Sequence, residues 1–320
     1  MYLGVDGGGT KTAFALLDAD GRLLARHESG SAYYLVTGLE RTAAMLNAGV
    51  AETLALAGAT PDAVAFAFFG LPAYGEDSLL HAALDALPGE LFAPQRYRCG
   101  NDMVCSWAGS LACADGISIV AGTGSIGYGR YDGREARAGG WGELFSDEGS
   151  AYWIAREGLA LFARMSDGRT PRGPLHAIFR RGLALGADLD LCAEVYSRRK
   201  GERSQLAQLA RLVQQAALEG DAEANAIFEQ AAHELAAIVD AVRRQLGVPA
   251  DVALPVSYSG GVFNSASPLL GPFTQRLARH GGFALQEPQF EPVIGAALYA
   301  AQCDGKLPGR VALARLAQRT

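Results

Sequence analysis

The sequence predicts an α/β protein of two lobes, each of which begins with a three-stranded β-meander. The first observation is a pattern of strand, glycine turn, strand, Asp-Gly turn and strand from Leu3 to Leu24. The second is the return of this pattern from Ile117 to Gly139, with Thr123 standing 113 residues after Thr10. The third is the mixture of helical and strand-like spacing after each meander. The repeat in two landmarks indicates two related lobes, and two ordinary hairpins are the alternative interpretation.

The segments after each meander alternate between helix and strand in chain order. The helices expected from apolar spacing are 39–58, 76–87, 106–112, 147–165, 204–219, 221–246 and one that begins at 292, and the further strands are 64–69, 95–99 and 255–261. A boundary falls near residues 112–116. The first lobe should span 1–114 together with the closing segment 293–320, and the second should span 115–292.

Composition narrows the class of protein. A chain of 320 residues is long enough for two cores, and 49% hydrophobic with 19% charged residues is normal for a soluble enzyme. The net charge of −6 argues against nucleic acid or an anionic membrane as the main partner. Without a long apolar run or a basic leader, we expect a cytoplasmic protein. Five cysteines without CxxC spacing predict reduced thiols rather than a disulfide framework or metal site.

The first glycine turn, Asp6-Gly-Gly-Gly-Thr10, has the composition of a phosphate cradle. Gly8 and Gly9 let backbone N–H groups face an anion, and Thr10 adds a hydroxyl donor. Asp6 can hold a hydrated Mg²⁺ against the same phosphate. Lys11 either adds a point charge to the phosphate or points outward from the hairpin. A glycine-rich hairpin without a ligand is the structural alternative.

The second glycine turn, Gly122-Thr-Gly-Ser125, completes a GxGxxG pattern at Gly127. A dinucleotide-binding fold requires a helix after this motif, but the residues that follow have the character of a strand and a turn. A second phosphate-binding hairpin therefore explains the segment better. The sequence contains no GxxxxGK[ST] segment, which argues against a P-loop kinase.

Three of these motifs together resemble a known superfamily. Asp6-Gly-Gly-Gly-Thr10, Gly122-Thr-Gly-Ser125 and Ser259-Gly-Gly-Val262 are similar to the two phosphate motifs and the adenosine motif of the sugar kinase/Hsp70/actin superfamily. Gly139-Gly-Trp-Gly142 and the segment from Ser146 to Ile154 resemble the N-acetylglucosamine kinases of the BadF/BadG/BcrA/BcrD-type ATPase family. The resemblance implies two ribonuclease-H-like (actin-like ATPase) lobes around a central cleft, with ATP and Mg²⁺ as cofactors, an amino sugar as substrate, and a homodimer.

The resemblance also implies roles for three side chains. Asp102, after an expected strand, would be the general base that takes the proton from the sugar 6-hydroxyl, and an N-cap of the next helix is its structural alternative. Asp147 would accept hydrogen bonds from sugar hydroxyls, again with a helix cap as the alternative. Trp141 would stack on the sugar or fill a core between the lobes.

The remaining predicted contacts complete the two ligand sites. The nucleotide contacts are Gly8, Gly9, Thr10, Lys11, Gly122, Thr123, Gly124, Ser125, Gly260 and Gly261, and the sugar contacts are Tyr33, Asn101, Ile126, Gly140, Trp141 and Asp147. Tyr33 and Ile126 stand where the resemblance suggests asparagines, so amide partners for the sugar are missing. Glucosamine or a muramic-type sugar therefore stays open beside N-acetylglucosamine. An ATPase that activates a partner enzyme is a weaker alternative, because no cysteine pair for a cluster is evident.

Overall fold

The computed structural model describes residues 1–264 and 267–318 and divides the chain into two compact units. The first unit is Met1–Asp115 with the segment from Glu287 onward, and the second is Gly116–Gln286. Each unit contains one five-stranded mixed sheet with flanking helices. None of the described helices is long and apolar enough to cross a membrane.

The strands and helices have the following bounds. The strands are β1 (Tyr2–Gly7), β2 (Thr12–Leu17), β3 (Leu23–Ser29), β4 (Phe66–Leu71), β5 (Tyr97–Asn101), β6 (Gly116–Ala121), β7 (Ser125–Tyr131), β8 (Arg134–Gly139), β9 (Leu254–Ser259) and β10 (Phe283–Gln286). The helices are α1 (Tyr34–Thr37), α2 (Leu39–Leu56), α3 (His81–Ala86), α4 (Met103–Leu111), α5 (Ala151–Ser166), α6 (Pro174–Gly182), α7 (Asp190–Ala193), α8 (Arg203–Ala207), α9 (Ala210–Leu218), α10 (Ala222–Leu246), α11 (Leu270–His280), α12 (Pro292–Cys303) and α13 (Arg310–Ala317).

The sheet of the first unit has the order β3-β2-β1-β4-β5. Strands β1, β4 and β5 are parallel, so their carboxyl ends share one edge of the sheet. Helix α12 packs on β1 and on α4. The approach is close because glycines face the contacts: a Cβ on Gly4 would overlap the backbone of Ala297, and one on Gly295 would overlap Gly109. The C-terminal segment thereby completes the core of the first unit.

The sheet of the second unit has the order β10-β9-β6-β7-β8, with β6, β9 and β10 parallel. This is the topology of the first sheet again: an antiparallel meander followed by two parallel strands. Along the chain, the helices from α5 to α10 follow β8 and precede β9. Ile117 and Ile119 of β6 share a buried core with Val239 and Val242 of α10. The predicted α/β architecture of two related, meander-based lobes is confirmed.

Four of the predicted helices start three or more residues from the predicted position or are divided. Helix α3 begins at His81 rather than 76, because Asp77 Oδ1 accepts the N–H of Leu79 at 2.9 Å in a preceding turn. Helix α4 begins at Met103 rather than 106. The helix expected over 204–219 is split into α8 and α9, and the N–H of Leu209 turns back to the carbonyl of Leu206 at 2.9 Å. Helix α5 begins at Ala151 rather than 147, because Ser150 is its N-cap.

Candidate active site

Two carboxylates, Asp6 and Asp102, lie at the edge of the first sheet where its parallel strands end. Asp6 is next to last in β1, and Asp102 follows β5 directly. Burial raises the pKa of Asp6 to about 7, and the negative charge of Asp102 is the second cause of the rise. Each carboxylate therefore lies within the electrostatic field of the other. A cation bound at this edge would lower the electrostatic cost of ionising both carboxylates.

Gly70 of β4 makes room for this pair of carboxylates. It pairs in register with Asp6, and a Cβ at this position would overlap the Sγ atom of Cys105 and lie 3.3 Å from the Cα atom of Asp102. The thiol of Cys105 is fully buried beneath the pair, 3.6 Å from the carbonyl oxygen of Val5. Helix α4 can bring Asp102 toward β1 only because β4 carries no side chain here.

Asn101 performs the capping role that was the structural alternative for Asp102. Asn101 Oδ1 accepts the N–H of Met103 at 3.1 Å, and its Nδ2 donates to the carbonyl of Tyr74 at 3.1 Å. Asp102 occupies the N-cap position of α4, but its side chain makes no capping hydrogen bond. Asn101 is 7% exposed, so its amide serves the local backbone. The predicted sugar contact at Asn101 stays a prediction.

The turn between β1 and β2 carries the first predicted phosphate contacts. Ser31 Oγ and the N–H of Ala32 both donate to the carbonyl of Gly8, at 3.3 and 3.2 Å. Gly9 and Thr10 are exposed at the tip of the turn. The backbone of this turn is therefore anchored on one side and accessible to a ligand on the other.

Two neighbours of this turn have other contacts than those predicted. Lys11 is exposed and forms an ion pair with Glu28, with 2.9 Å between Nζ and Oε1. Tyr33 is half-buried, packs against the core of the first unit and donates its N–H to Ser31 Oγ at 3.0 Å. Neither contact tests the predicted role in ligand binding.

The turn between β6 and β7 holds the second predicted phosphate motif and is tied to the start of α5. The N–H groups of Ala151 and Tyr152 donate to the carbonyls of Gly122 and Thr123, at 2.8 and 3.3 Å. The N–H of Gly122 donates to the carbonyl of Gly124 at 2.9 Å and closes the turn. The turn is thus fixed against a sixteen-residue helix.

Asp147 lies directly beneath this turn. It is 2% exposed, and its backbone has φ of +61°, a left-handed conformation that aspartate tolerates better than most residues. Its Oδ1 accepts the N–H of Ser125 at 3.2 Å, while Ser125 Oγ donates to the carbonyl of Glu148 at 2.7 Å. A Cβ on Gly124 would lie 2.9 Å from both carboxylate oxygens of Asp147. Asp147 is not the cap of α5, which is Ser150.

Gly260 joins the third predicted motif to the second. Its φ is +97°, and a Cβ would overlap the carbonyl of Ala121 and lie 2.9 Å from the nitrogen of Gly122. The next residue, Gly261, begins a short 3₁₀ turn, and a Cβ added there would meet no heavy atom within 4 Å. The two glycine motifs of the second unit therefore touch through their backbones.

Arg203 belongs to this cluster and was missed by the sequence analysis. Its Nη2 pairs with Oδ2 of Asp147, and its Nε lies 3.5 Å from Oε2 of Glu143. Burial raises the pKa of Asp147, and Arg203 opposes that rise. Nothing in the sequence distinguishes Arg203 from Arg198 or Arg199, because only the fold brings position 203 to Asp147.

The loop between β8 and α5 exposes three large apolar side chains. Trp141, Leu144 and Phe145 are 70%, 83% and 74% exposed. Arg137 lies over the ring of Trp141, with 5.9 Å between its Cζ atom and the ring centroid. The predicted stacking of Trp141 on a sugar stays a prediction. Ile126 packs against Gly140, since a Cβ there would lie 2.7 Å from Ile126 Cδ1.

The structure therefore brings the predicted residues together in two sets, one in each unit. The first set is Asp6, Gly8, Gly9, Thr10, Asn101 and Asp102, and the second is Gly122 to Ser125, Ile126, Gly140, Trp141, Asp147, Gly260 and Gly261. Among residues 1–264 and 267–318, no group of three or more histidine, cysteine or acidic side chains is arranged to hold a metal ion.

A comparison with protein-family models matches residues 3–300 to the BadF/BadG/BcrA/BcrD ATPase family. Among characterised relatives, the chain is 28% identical over 314 residues to the N-acetyl-D-glucosamine kinase of Dictyostelium discoideum, covering 94% of this chain and 97% of the relative. It is 29% identical over 282 residues to the N-acetylmuramic acid/N-acetylglucosamine kinase of Clostridium acetobutylicum, covering 86% and 89%.

Solved structures show the same fold. A candidate N-acetylglucosamine kinase from Chromobacterium violaceum superimposes with a TM-score of 0.71 at 28% identity, covering 92% of this chain and 97% of the other. A ROK family glucokinase from Streptomyces griseus, solved with glucose and AMPPNP, gives a TM-score of 0.57 at 18% identity, with coverage of 94% and 99%. At that lower identity the likeness extends to the fold alone.

Proposed function

The chain belongs to the BadF/BadG/BcrA/BcrD ATPase family, and we propose that it transfers the γ-phosphoryl group of ATP to the 6-hydroxyl of an amino sugar. N-acetylglucosamine is the acceptor with the most support, because two relatives that match most of the chain are kinases named for it. The observation that carries the proposal is the position of Asp102 beside Asp6 at the carboxyl edge of the first sheet. This arrangement offers one carboxylate to a cation and one to an acceptor hydroxyl.

The proposed nucleotide contacts are backbone groups of the three glycine segments. Gly9 and Thr10 are exposed at one turn, and Gly260 lies against the turn of Gly122 in the other unit. Glycine backbone in turns suits polyphosphate because N–H groups can approach oxygen atoms without obstruction by a Cβ. The matching position of the two turns in two sheets of equal topology supports a shared task.

In the proposed reaction, Asp102 accepts the proton of the sugar 6-hydroxyl as that oxygen attacks the γ-phosphorus. The bond between the γ-phosphorus and the β,γ-bridging oxygen breaks, and ADP leaves with the electron pair. A carboxylate is suited to this step when its side chain is not spent on capping a helix, and Asn101 supplies the cap of α4.

The residues at this edge fit a magnesium ion. Asp6 has a pKa raised to about 7 by burial and by the charge of Asp102, so the ionised pair is electrostatically costly without a cation. Mg²⁺ takes most of its ligands from phosphates and water, and one carboxylate is enough to hold it. Asp6 would hold it there, and the ion would neutralise charge on the transferred phosphate.

The proposed contacts of the acceptor sugar include Asp147 and Trp141 of the second unit. Asp147 would accept hydroxyl hydrogen bonds, and Trp141, which is 70% exposed and has Arg137 Cζ 5.9 Å from its ring centroid, would stack on the sugar. Ile126 and Tyr33 offer no side-chain amide to an N-acetyl group, which keeps glucosamine and muramic-type sugars as alternative acceptors. Without an amide at positions 33 and 126, these two side chains leave the N-acetyl group of a sugar without an amide hydrogen-bond partner.

ADP release over a panel of sugars tests the proposal. N-acetylglucosamine, glucosamine, N-acetylmannosamine, muramic acid and glucose are each added to the protein with ATP and Mg²⁺, and 6-deoxy-N-acetylglucosamine serves as the acceptor without the reacting hydroxyl. We expect stimulation by at least one amino sugar and none by the deoxy sugar. Turnover with the deoxy sugar would refute transfer to the 6-hydroxyl, and no stimulation by any sugar would refute the kinase.

Asp102→Asn tests the role of the proposed base. Loss of a general base lowers kcat by about 10²- to 10⁴-fold while the affinity for ATP changes little. Asp20→Asn, which removes an exposed carboxylate from the β2–β3 turn of the same unit, is the matched control. Full turnover in Asp102→Asn would rule out the assigned mechanism.

A further inference from the structure

The guanidinium of Arg203 lies between the proposed nucleotide and sugar groups of the second unit. Its Nη2 pairs with Asp147 Oδ2, and a Cβ placed on Gly124 would overlap the same Nη2 atom. The cation therefore touches both the backbone of the Gly122–Ser125 turn and the carboxylate beneath it. Its side chain is 37% exposed, whereas that of Asp147 is 2% exposed.

Arg203 covers Asp147. The carboxylate accepts one backbone N–H, that of Ser125 at 3.2 Å, and its other oxygen is occupied by the guanidinium. The more exposed member of this ion pair is Arg203 itself. A sugar hydroxyl can bind Asp147 in its proposed role once the guanidinium has moved aside or shares the oxygen.

Arg203 has hydrogen-bonding capacity that its present partners do not use. A guanidinium has five N–H donors. The Nε atom is buried and, among the described residues, has no hydrogen-bond partner; Glu143 Oε2 lies 3.5 Å away as an ion-pair partner. A planar cation with unused donors beside a glycine turn is well suited to phosphate oxygens, which accept paired N–H donors.

We propose that Arg203 is a nucleotide-binding residue that exchanges Asp147 for a phosphate group of ATP, so that binding of the nucleotide uncovers Asp147 for the sugar. The inference rests on the proposed function, since it assigns ATP to the Gly122–Ser125 turn and the sugar to Asp147. Nucleotide and sugar then favour each other's binding, because either one draws Arg203 and Asp147 apart. By thermodynamic linkage the two enhancements are equal in size.

A purely structural role for Arg203 predicts different behaviour. Arg203 begins α8, and its partners Glu143 and Asp147 lie in the loop before α5, so a structural role would be to hold α8 against this loop. In that case the substitutions would alter stability, and sugar and nucleotide would bind independently of each other. The exchange proposal instead predicts opposite changes in nucleotide affinity when the two partners are substituted.

Calorimetric binding of AMPPNP with Mg²⁺, and of N-acetylglucosamine with and without AMPPNP, separates these cases. In the wild-type protein we expect the sugar to bind about tenfold more tightly when AMPPNP is present. Arg203→Met should weaken AMPPNP binding at least about tenfold and abolish the enhancement. Asp147→Asn should bind AMPPNP more tightly than the wild type, because Arg203 is no longer held by the carboxylate, and weaker binding would count against the exchange.

Two further variants distinguish a loss of binding from a loss of folding. Arg203→Met/Asp147→Asn removes both charges, leaves no buried carboxylate without its partner and should retain the low nucleotide affinity. Arg198→Met, which removes an exposed arginine paired with Glu194, is the matched control and should bind both ligands as the wild type does. Thermal unfolding establishes that each variant is folded.

The outcomes separate this inference from the proposed function. Wild-type affinity for AMPPNP in folded Arg203→Met or in the double variant would overturn the inference, as would an unchanged sugar enhancement in Arg203→Met. Failure of every sugar to stimulate the wild-type protein would refute the kinase, while AMPPNP titration would still decide whether Arg203 contacts the nucleotide.

Discussion

Asp6→Asn should make the ligand-free protein more stable at alkaline pH, at the expense of its activity. Asp6 has a folded-state pKa of about 7 against an ordinary value of 3.8, so the native protein holds a proton that the unfolded chain has lost. Where the native state binds more protons, the free energy of unfolding falls as pH rises. The loss begins near pH 4 and is complete above pH 7.

The magnitude follows from the difference between the two pKa values. At about 1.4 kcal/mol for each pKa unit, the raised pKa of Asp6 lowers the free energy of unfolding by roughly 4 kcal/mol at pH 8, where the native carboxylate is ionised, and by roughly 2 kcal/mol at pH 5, where it still holds the proton. Asparagine is neutral at both values of pH and avoids this cost. The stabilisation by Asp6→Asn should therefore grow by roughly 2 kcal/mol between pH 5 and pH 8.

Urea unfolding at pH 5 and pH 8, without nucleotide or Mg²⁺, measures this growth. Asp20→Asn, at an exposed turn position, should change the free energy of unfolding by less than about 0.5 kcal/mol. Asp102→Asn should also stabilise the protein at pH 8, and the double variant should gain less than the sum, because each charge raises the cost of the other. An equal effect of Asp6→Asn at both pH values, or destabilisation at pH 8, would refute the reasoning.

Three further predictions concern the second unit. Gly260→Ala should destabilise the protein by about 1–3 kcal/mol, because its φ is +97° and the methyl group would overlap Ala121. Gly261→Ala, where a Cβ meets no neighbour, should leave the melting temperature unchanged and weaken ATP binding. Equal melting temperatures of the two variants would contradict this prediction. Trp141→Ala should raise the KM for the sugar without lowering the melting temperature, because the ring is 70% exposed, and an unchanged KM would exclude stacking. Burial raises the pKa of Asp147, so the KM for the sugar should increase as acidification protonates this carboxylate, and this dependence should be absent from Asp147→Asn.

Much of the fold could be predicted because its repeating unit is local in sequence. Each meander is a run of alternating strands and glycine turns, and the spacing of turn residues reports it directly. Helices such as α2 and α10 have long apolar faces and were predicted to within about two residues at each end. The break between α8 and α9 was not predicted, because Leu206 and Leu209 fit one helix locally and are redirected by the core in which they are buried.

The sequence alone determines the glycine turns and the carboxylates that follow strands, because their chemistry depends on residue type and on neighbours a few positions away. Only the tertiary structure decided which of these groups share an environment. It placed the cap of α4 on Asn101 and left Asp102 beside Asp6, and it joined Arg203 to Asp147 across 56 positions. Such pairings depend on packing between segments distant in sequence, and charge or residue type alone does not specify them.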